Sequence, residues 1–125
     1  MDIIIELGFD GINFGNTSTD YLYCKNKLNP NDIKNFDYFV KNFGGGVSGY
    51  PLKEKSLLLA SEAAIYINSK NLSKEFHVIR TGGIENINDL NESEKSGISL
   101  NQWFTGYFEA FSKYGHNLYN ELFKI

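Results

Sequence analysis

With one cysteine in 125 residues, Cys24, the chain can form no internal disulfide and offers no cysteine-based metal site. A reducing, intracellular compartment is the expected setting, and a bystander thiol rather than a nucleophile is the expected role for Cys24. Arginine is equally scarce: Arg80 stands alone beside eleven scattered lysines, and the net charge is −3. This excludes the clustered positive surface that a nucleic-acid backbone requires, so no nucleic-acid partner is expected. Long apolar runs are missing too. The stretch 3–7 is too short for a signal sequence, and nothing later approaches the roughly 20 apolar residues of a membrane span.

What is present is ordinary globular composition: 42% hydrophobic and 22% charged residues, enough for a packed core and against disorder. Residues 1–7 read as the last turn of a helix stopped by Gly8, which suggests that the element begins before Met1. Gly11 to Phe14 is a short strand closed by the turn-formers Gly15, Asn16, Thr17 and Ser18. Residues 21–43 form a long excursion with at most a short helix around 32–40. A glycine-rich turn at 44–49 follows, then a helix capped by Ser56 with an apolar stripe from Leu57 to Ile67. Phe76 to Arg80 is β-branched and aromatic, hence a strand, and runs into Thr81-Gly82-Gly83-Ile84. A helix over 87–95 with Asn86 or Asn88 as its cap, a strand over 98–104 and a final helix over 113–123 complete the pattern.

Strands alternating with helices at this spacing define an α/β protein built from parallel βαβ units. In such sheets ligands bind beyond the carboxyl ends of the strands, and the glycine clusters fall at those ends. Ser48-Gly49, Gly82-Gly83 and Thr105-Gly106 each leave backbone N–H groups unobstructed by a Cβ, as a phosphate needs. Any one of them also serves simply to end a strand tightly, but three at equivalent ends favour a phosphate ligand. Asn16, Thr17 and Ser18 offer an amide and hydroxyls to a planar polar ligand, or else an Asx turn closing the strand. His77, His116 and Trp103 have no catalytic neighbour at a meaningful interval and read as structural, and Glu85 is a single acid without a partner.

Asn16-Thr17-Ser18, Gly45-Gly46-Val47-Ser48-Gly49-Tyr50-Pro51-Leu52, Thr81-Gly82-Gly83-Ile84 and Gln102-Trp103-Phe104-Thr105-Gly106 resemble, in order and spacing, the C-terminal signatures of the dihydroorotate dehydrogenases. The glycine-rich motif looks more like the quinone-dependent, membrane-associated class than the soluble ones. The resemblance implies a single partial domain over 1–125, the C-terminal three βα units of an FMN-binding (β/α)₈ TIM barrel. It further implies oxidation of dihydroorotate to orotate with FMN in pyrimidine biosynthesis. Asn16 and Thr17 would hydrogen-bond the orotate ring; Ser48, Gly49, Gly82, Gly83, Phe104, Thr105 and Gly106 would hold the ribityl phosphate.

Three departures stand out: Gly15 replaces a flavin-contacting Thr, Phe104 replaces a Tyr, and Arg80 stands where a small or apolar residue is usual. An arginine near a barrel interior needs a partner or an exit to solvent. The family's first five strands, its membrane-binding helices, its Ser or Cys base and its flavin-contacting Lys have no counterpart in these residues. The expectation is a cytoplasmic fragment, inactive alone, with membrane attachment only through an N-terminal segment not represented here. It would be completed by a complementary N-terminal half or by self-association, with a quinone acceptor only in the complete enzyme. A module that holds FMN or another phosphate without catalysis, or a remnant half-barrel, is the alternative.

Overall fold

A computed structural model describes residues 1–123. The elements run α1 (Asp2–Glu6), β1 (Gly11–Gly15), α2 (Tyr21–Lys25), α3 (Ile33–Asn42), α4 (Lys53–Asn68), β2 (His77–Thr81), α5 (Ile87–Lys95), β3 (Leu100–Gln102), α6 (Thr105–Tyr114) and α7 (Leu118–Leu122). The strands form one parallel sheet in the order β1-β2-β3. Gly11 pairs with His77 through to Gly15 with Thr81, and Ile79 to Thr81 pair with Leu100 to Gln102. The fold is therefore mixed α/β, as the alternation of strand and helix signals implies.

Side-chain alternation splits the sheet into two unlike faces. One carries Ile12, Phe14 and Val78 and packs on α4, whose buried residues Ser56, Ala60, Ala63, Ala64 and Ile67 recur at three- and four-residue spacing along one stripe. Alanines at these positions let the helix backbone lie close to the strands. Phe76 and Ile98 close the ends of this core. The other face carries Asn13, Ile79, Thr81, Leu100 and Gln102, with Leu100 about half exposed.

Several elements differ from the sequence expectation for local reasons. Ser56 does not cap α4: the helix starts at Lys53, after a 3-10 turn over Tyr50–Leu52 that Pro51 opens, and Ser56 lies buried in its first turn. α5 is capped by Asn86, whose side chain accepts from the Asn88 and Asp89 N–H groups while Asp89 returns a bond to the Asn86 N–H. The third strand keeps only Leu100–Gln102, and the final helix over 113–123 is two helices, with α6 beginning already at Thr105 and breaking at Gly115. In the excursion, α2 is an unforeseen helix capped by the Asp20 side chain on the Tyr23 N–H.

Packing on α4 predicts a sharp asymmetry between its faces. Ala60→Leu, at a position with no exposure, forces extra methylenes against the sheet and costs about 1–3 kcal/mol, whereas Ile65→Ala, at 69% exposure, stays within about 0.5 kcal/mol. Urea unfolding midpoints of the two variants should fall in that order; the reverse order would place the core on the other side of the helix.

Candidate functional site

In-register parallel pairing sets Gly15, Thr81 and Gln102 side by side at the carboxyl ends of the three strands. The loops that leave these ends then meet above them. The long excursion after β1 is tied back by an antiparallel bridge, in which the Ser18 and Val47 N–H groups each donate to the other's carbonyl at 2.9 Å. That bridge returns Ser48 and Gly49 to the strand ends, where the Thr105 hydroxyl donates to Ser48 Oγ at 3.0 Å.

A cleft of about 400 Å³ results. Its walls include Asn16 from the first loop, Ser48 and Gly49 from the glycine-rich turn, Gly82 and Gly83 after β2, and Phe104, Thr105 and Gly106 at the start of α6. Eight of the nine residues selected from the sequence therefore converge. The ninth, Thr17, lines an adjoining cavity of about 180 Å³ with Ser18, Lys55 and Leu59, and Asn16 borders both.

The cleft's chemistry is that of neutral hydrogen-bond donors. None of its lining side chains, which also include Thr81, Ile84, Gln102 and Trp103, titrates in the ordinary pH range. The ten-residue α6 starts in its wall with no side-chain cap, so the first-turn N–H groups and the positive end of the helix dipole are available to an anion. Gly83 is buried, and its N–H has no hydrogen-bond partner among the described residues. A buried backbone donor left in this state needs a ligand or water to satisfy it. Only glycine fits here: φ is +71°, and a Cβ would collide with the Lys53 backbone.

Two groups of side chains escaped the sequence reading as functional. On the helix-free face Thr81 Oγ1 lies 2.7 Å from both Asn13 Oδ1 and Gln102 Oε1, and Asn13 Nδ2 donates to Gln102 at 3.2 Å, so a polar chain crosses all three strands below the cleft. Only the strand register makes them neighbours, so no sequence signal could have joined them.

The second group lies behind the cleft and supplies the partners that Arg80 was expected to need, though in the helix layer and not toward a barrel interior. That side chain points into the helix layer and is fully buried. Nε donates to Ser56 Oγ at 3.0 Å, Nη1 to Ser93 Oγ at 2.9 Å and the Asp89 carbonyl at 3.2 Å, and Nη2 to the Lys53 carbonyl at 2.9 Å. Burial pushes its pKa down, and the charge of Asp89 opposes that shift. Asp89, itself 1% exposed, pairs with Lys53 Nζ at 2.6 Å and accepts from the Glu85 and Asn86 N–H groups. Burial works against the Lys53 ammonium, but the hydrogen bond and charge of Asp89 prevail and its pKa is raised.

The remaining residues bear on packing. Cys24 is fully buried, and burial together with Asp20 raises its thiol pKa, away from the thiolate a nucleophile needs. Trp103 packs edge-on against Tyr107 and Tyr119, and His116 against Phe111. His77 lies on β2 with Glu75 3.8 Å away.

A three-stranded parallel sheet flanked by helices, with a glycine-walled, donor-rich cleft at its strand ends, defines a protein of the mixed α/β class. Within that class the family is specific: a family model described as dihydroorotate dehydrogenase matches residues 1–125, and the chain belongs to that oxidoreductase family. No curated protein matches the chain. Among the described residues no helix is long and apolar enough to cross a membrane.

Two outcomes test this geometry. Gly83→Ala combines the left-handed backbone penalty with a collision at Lys53 and is expected to cost roughly 2–4 kcal/mol in denaturant unfolding. A cost below about 0.5 kcal/mol would mean that the turn is not held as described. Glu85, beside the turn, has its pKa raised by burial, with Lys53 opposing the shift. A raised carboxyl pKa favours the fold most below the ordinary value of 4.5 and loses that contribution as pH rises through the folded-state value. Glu85→Gln should therefore gain stability relative to the parent between pH 4 and 7; a constant difference across that range would contradict the burial.

Proposed function

We propose that this chain forms the cofactor-phosphate and substrate-ring side of an FMN-dependent dihydroorotate dehydrogenase, as the C-terminal three βα units of a (β/α)₈ barrel. The observation that carries the reading is the convergence of eight motif residues on one cleft at the carboxyl ends of parallel strands. A phosphate fits the donors there. The uncapped start of α6 and the unpartnered Gly83 N–H suit a dianion, and no carboxylate lines the cleft to repel it. The uncovered sheet face with Ile79 and Leu100 suits a barrel interior that further strands would enclose.

In this reading Ser48, Gly49, Gly82, Gly83, Phe104, Thr105 and Gly106 hold the ribityl phosphate through neutral donors. Asn16, on the border of the two cavities, presents both amide functions to the dihydroorotate ring, and Thr17 adds its hydroxyl from the neighbouring side. Bound FMN supplies the hydride acceptor for oxidation to orotate in pyrimidine synthesis. The protein's remaining tasks are to position the ring and to remove a proton from it, and the second is unmet by the cleft residues, none of which is a general base. Oxidation thus requires barrel strands beyond these 125 residues, whether in a complementary half or in a longer polypeptide. The Gly-Gly-x-Ser-Gly-x-Pro-Leu version of the second motif favours the quinone-dependent class, cytoplasmic and attached to a membrane through an N-terminal segment.

The same lack of a titrating side chain favours one second reading, an FMN-holding or remnant half-barrel module without catalysis. Titration with FMN, followed by flavin fluorescence, tests the cofactor site common to the catalytic reading and the FMN-holding module. Saturable binding at about micromolar Kd or tighter is expected, weakened about tenfold or more by Gly82→Ala or Thr105→Ala, with no dihydroorotate oxidation by the isolated 125 residues. No binding at about 1 mM flavin would overturn the cofactor site; turnover by these residues alone would overturn the missing base.

A further inference from the structure

A serine hydroxyl has one proton to give, and Ser56 Oγ lies within reach of two carbonyls, Gly82 at 2.6 Å and Lys53 at 3.1 Å. Arg80 decides between them. Its guanidinium has only donors, so Nε at 3.0 Å occupies a lone pair of the hydroxyl, while Nη2 at 2.9 Å supplies the Lys53 carbonyl with a proton of its own. The serine proton is left for the shorter bond, to Gly82. A donor that already accepts from a cation is polarised and holds its acceptor more firmly.

The acceptor is the carbonyl of the Gly82–Gly83 peptide. That peptide is trans, as are all peptide bonds among the described residues, so its N–H points opposite to its C=O. Anchoring the carbonyl toward Ser56 turns the Gly83 N–H away from α4, on a residue that lines the cleft and has no other partner for this donor. Two consecutive glycines, at φ +122° and +71°, could otherwise rotate this peptide at little cost.

We infer that Arg80, acting through Ser56, is a positioning residue that aims the Gly83 N–H into the cleft and thereby sets its affinity for a phosphate monoester. The inference rests on the phosphate reading of the cleft. It assigns a task to the one arginine of the chain, which touches no ligand position and is buried at 0% exposure on the far side of β2. Ser93 Oγ and the Asp89 carbonyl hold the other end of the guanidinium, so that Nε is presented in one orientation.

The test compares FMN with riboflavin, which lacks the phosphate, on the parent chain, Ser56→Ala and Arg80→Lys; circular dichroism establishes that each is folded, and either variant suffices if the other is not. A positioning role predicts that FMN binding weakens about tenfold while riboflavin binding changes less than about twofold, and that the Gly83 amide ¹⁵N shift moves in the ligand-free variants. Equal weakening of both flavins, or FMN affinity within about twofold of the parent in a folded variant, would overturn the relay and leave the phosphate reading intact. A parent chain that binds riboflavin as tightly as FMN, or binds neither, would overturn the phosphate reading itself and the relay with it.

Discussion

The register of three parallel strands is the constraint on which the rest depends. Because Gly15, Thr81 and Gln102 end level with one another, the loops after β1, β2 and β3 leave from one line and can wall a common cleft. Alternation along β2 then allots its side chains: Val78 and Arg80 face the helices, while Ile79 and Thr81 face the open side. A slip of one residue would exchange these sets, moving Arg80 out of its polar nest and breaking the Asn13–Thr81–Gln102 chain.

Burying an arginine is costly unless its donors are matched, and here four hydrogen bonds to Ser56, Ser93 and two backbone carbonyls do the matching, with Asp89 supplying the compensating charge nearby. The acceptors come from two elements: Lys53 and Ser56 on α4, and Asp89 and Ser93 on α5. The guanidinium therefore fastens both crossover helices to the central strand just below the Gly82–Gly83 turn. Asp89 extends the same network upward by capping α5 and pairing with Lys53. Apolar packing of Ala60, Ala64 and Val78 holds the layers together lower down, so the fold is apolar at its base and polar beneath the cleft.

Strong local signals were legible in the sequence. The β2 strand, the Asn86 cap of α5 and the glycine clusters follow from β-branched runs, capping chemistry and backbone freedom, which act over a few residues. The convergence of Gly82 and Thr105 was legible too, because both sit where strand signals end, whereas Ser48 reaches them through the Ser18–Val47 bridge. Misreadings arose where two local rules competed. The aromatic run from Trp103 to Phe111 suits strand and helix alike, and helix prevailed from Thr105 onward. Ser56 has the side chain of a cap, but Pro51 starts the turn earlier and leaves it free to serve Gly82 and Arg80. Asp20, a plain cap ahead of α2, was a usable signal left unused. The Arg80 nest and the polar chain of Asn13 join residues 9 to 89 positions apart through tertiary packing, which no local signal encodes.

In the proposed function, backbone amides at three loop ends act together as one anion site. Backbone ¹⁵N–¹H spectra recorded while FMN is added test it directly. The amides of Gly49, Gly83, Thr105 and Gly106 are expected to shift together along one saturation curve while those of α3 stay still. Shifts confined to one loop, or centred on α3, would contradict it.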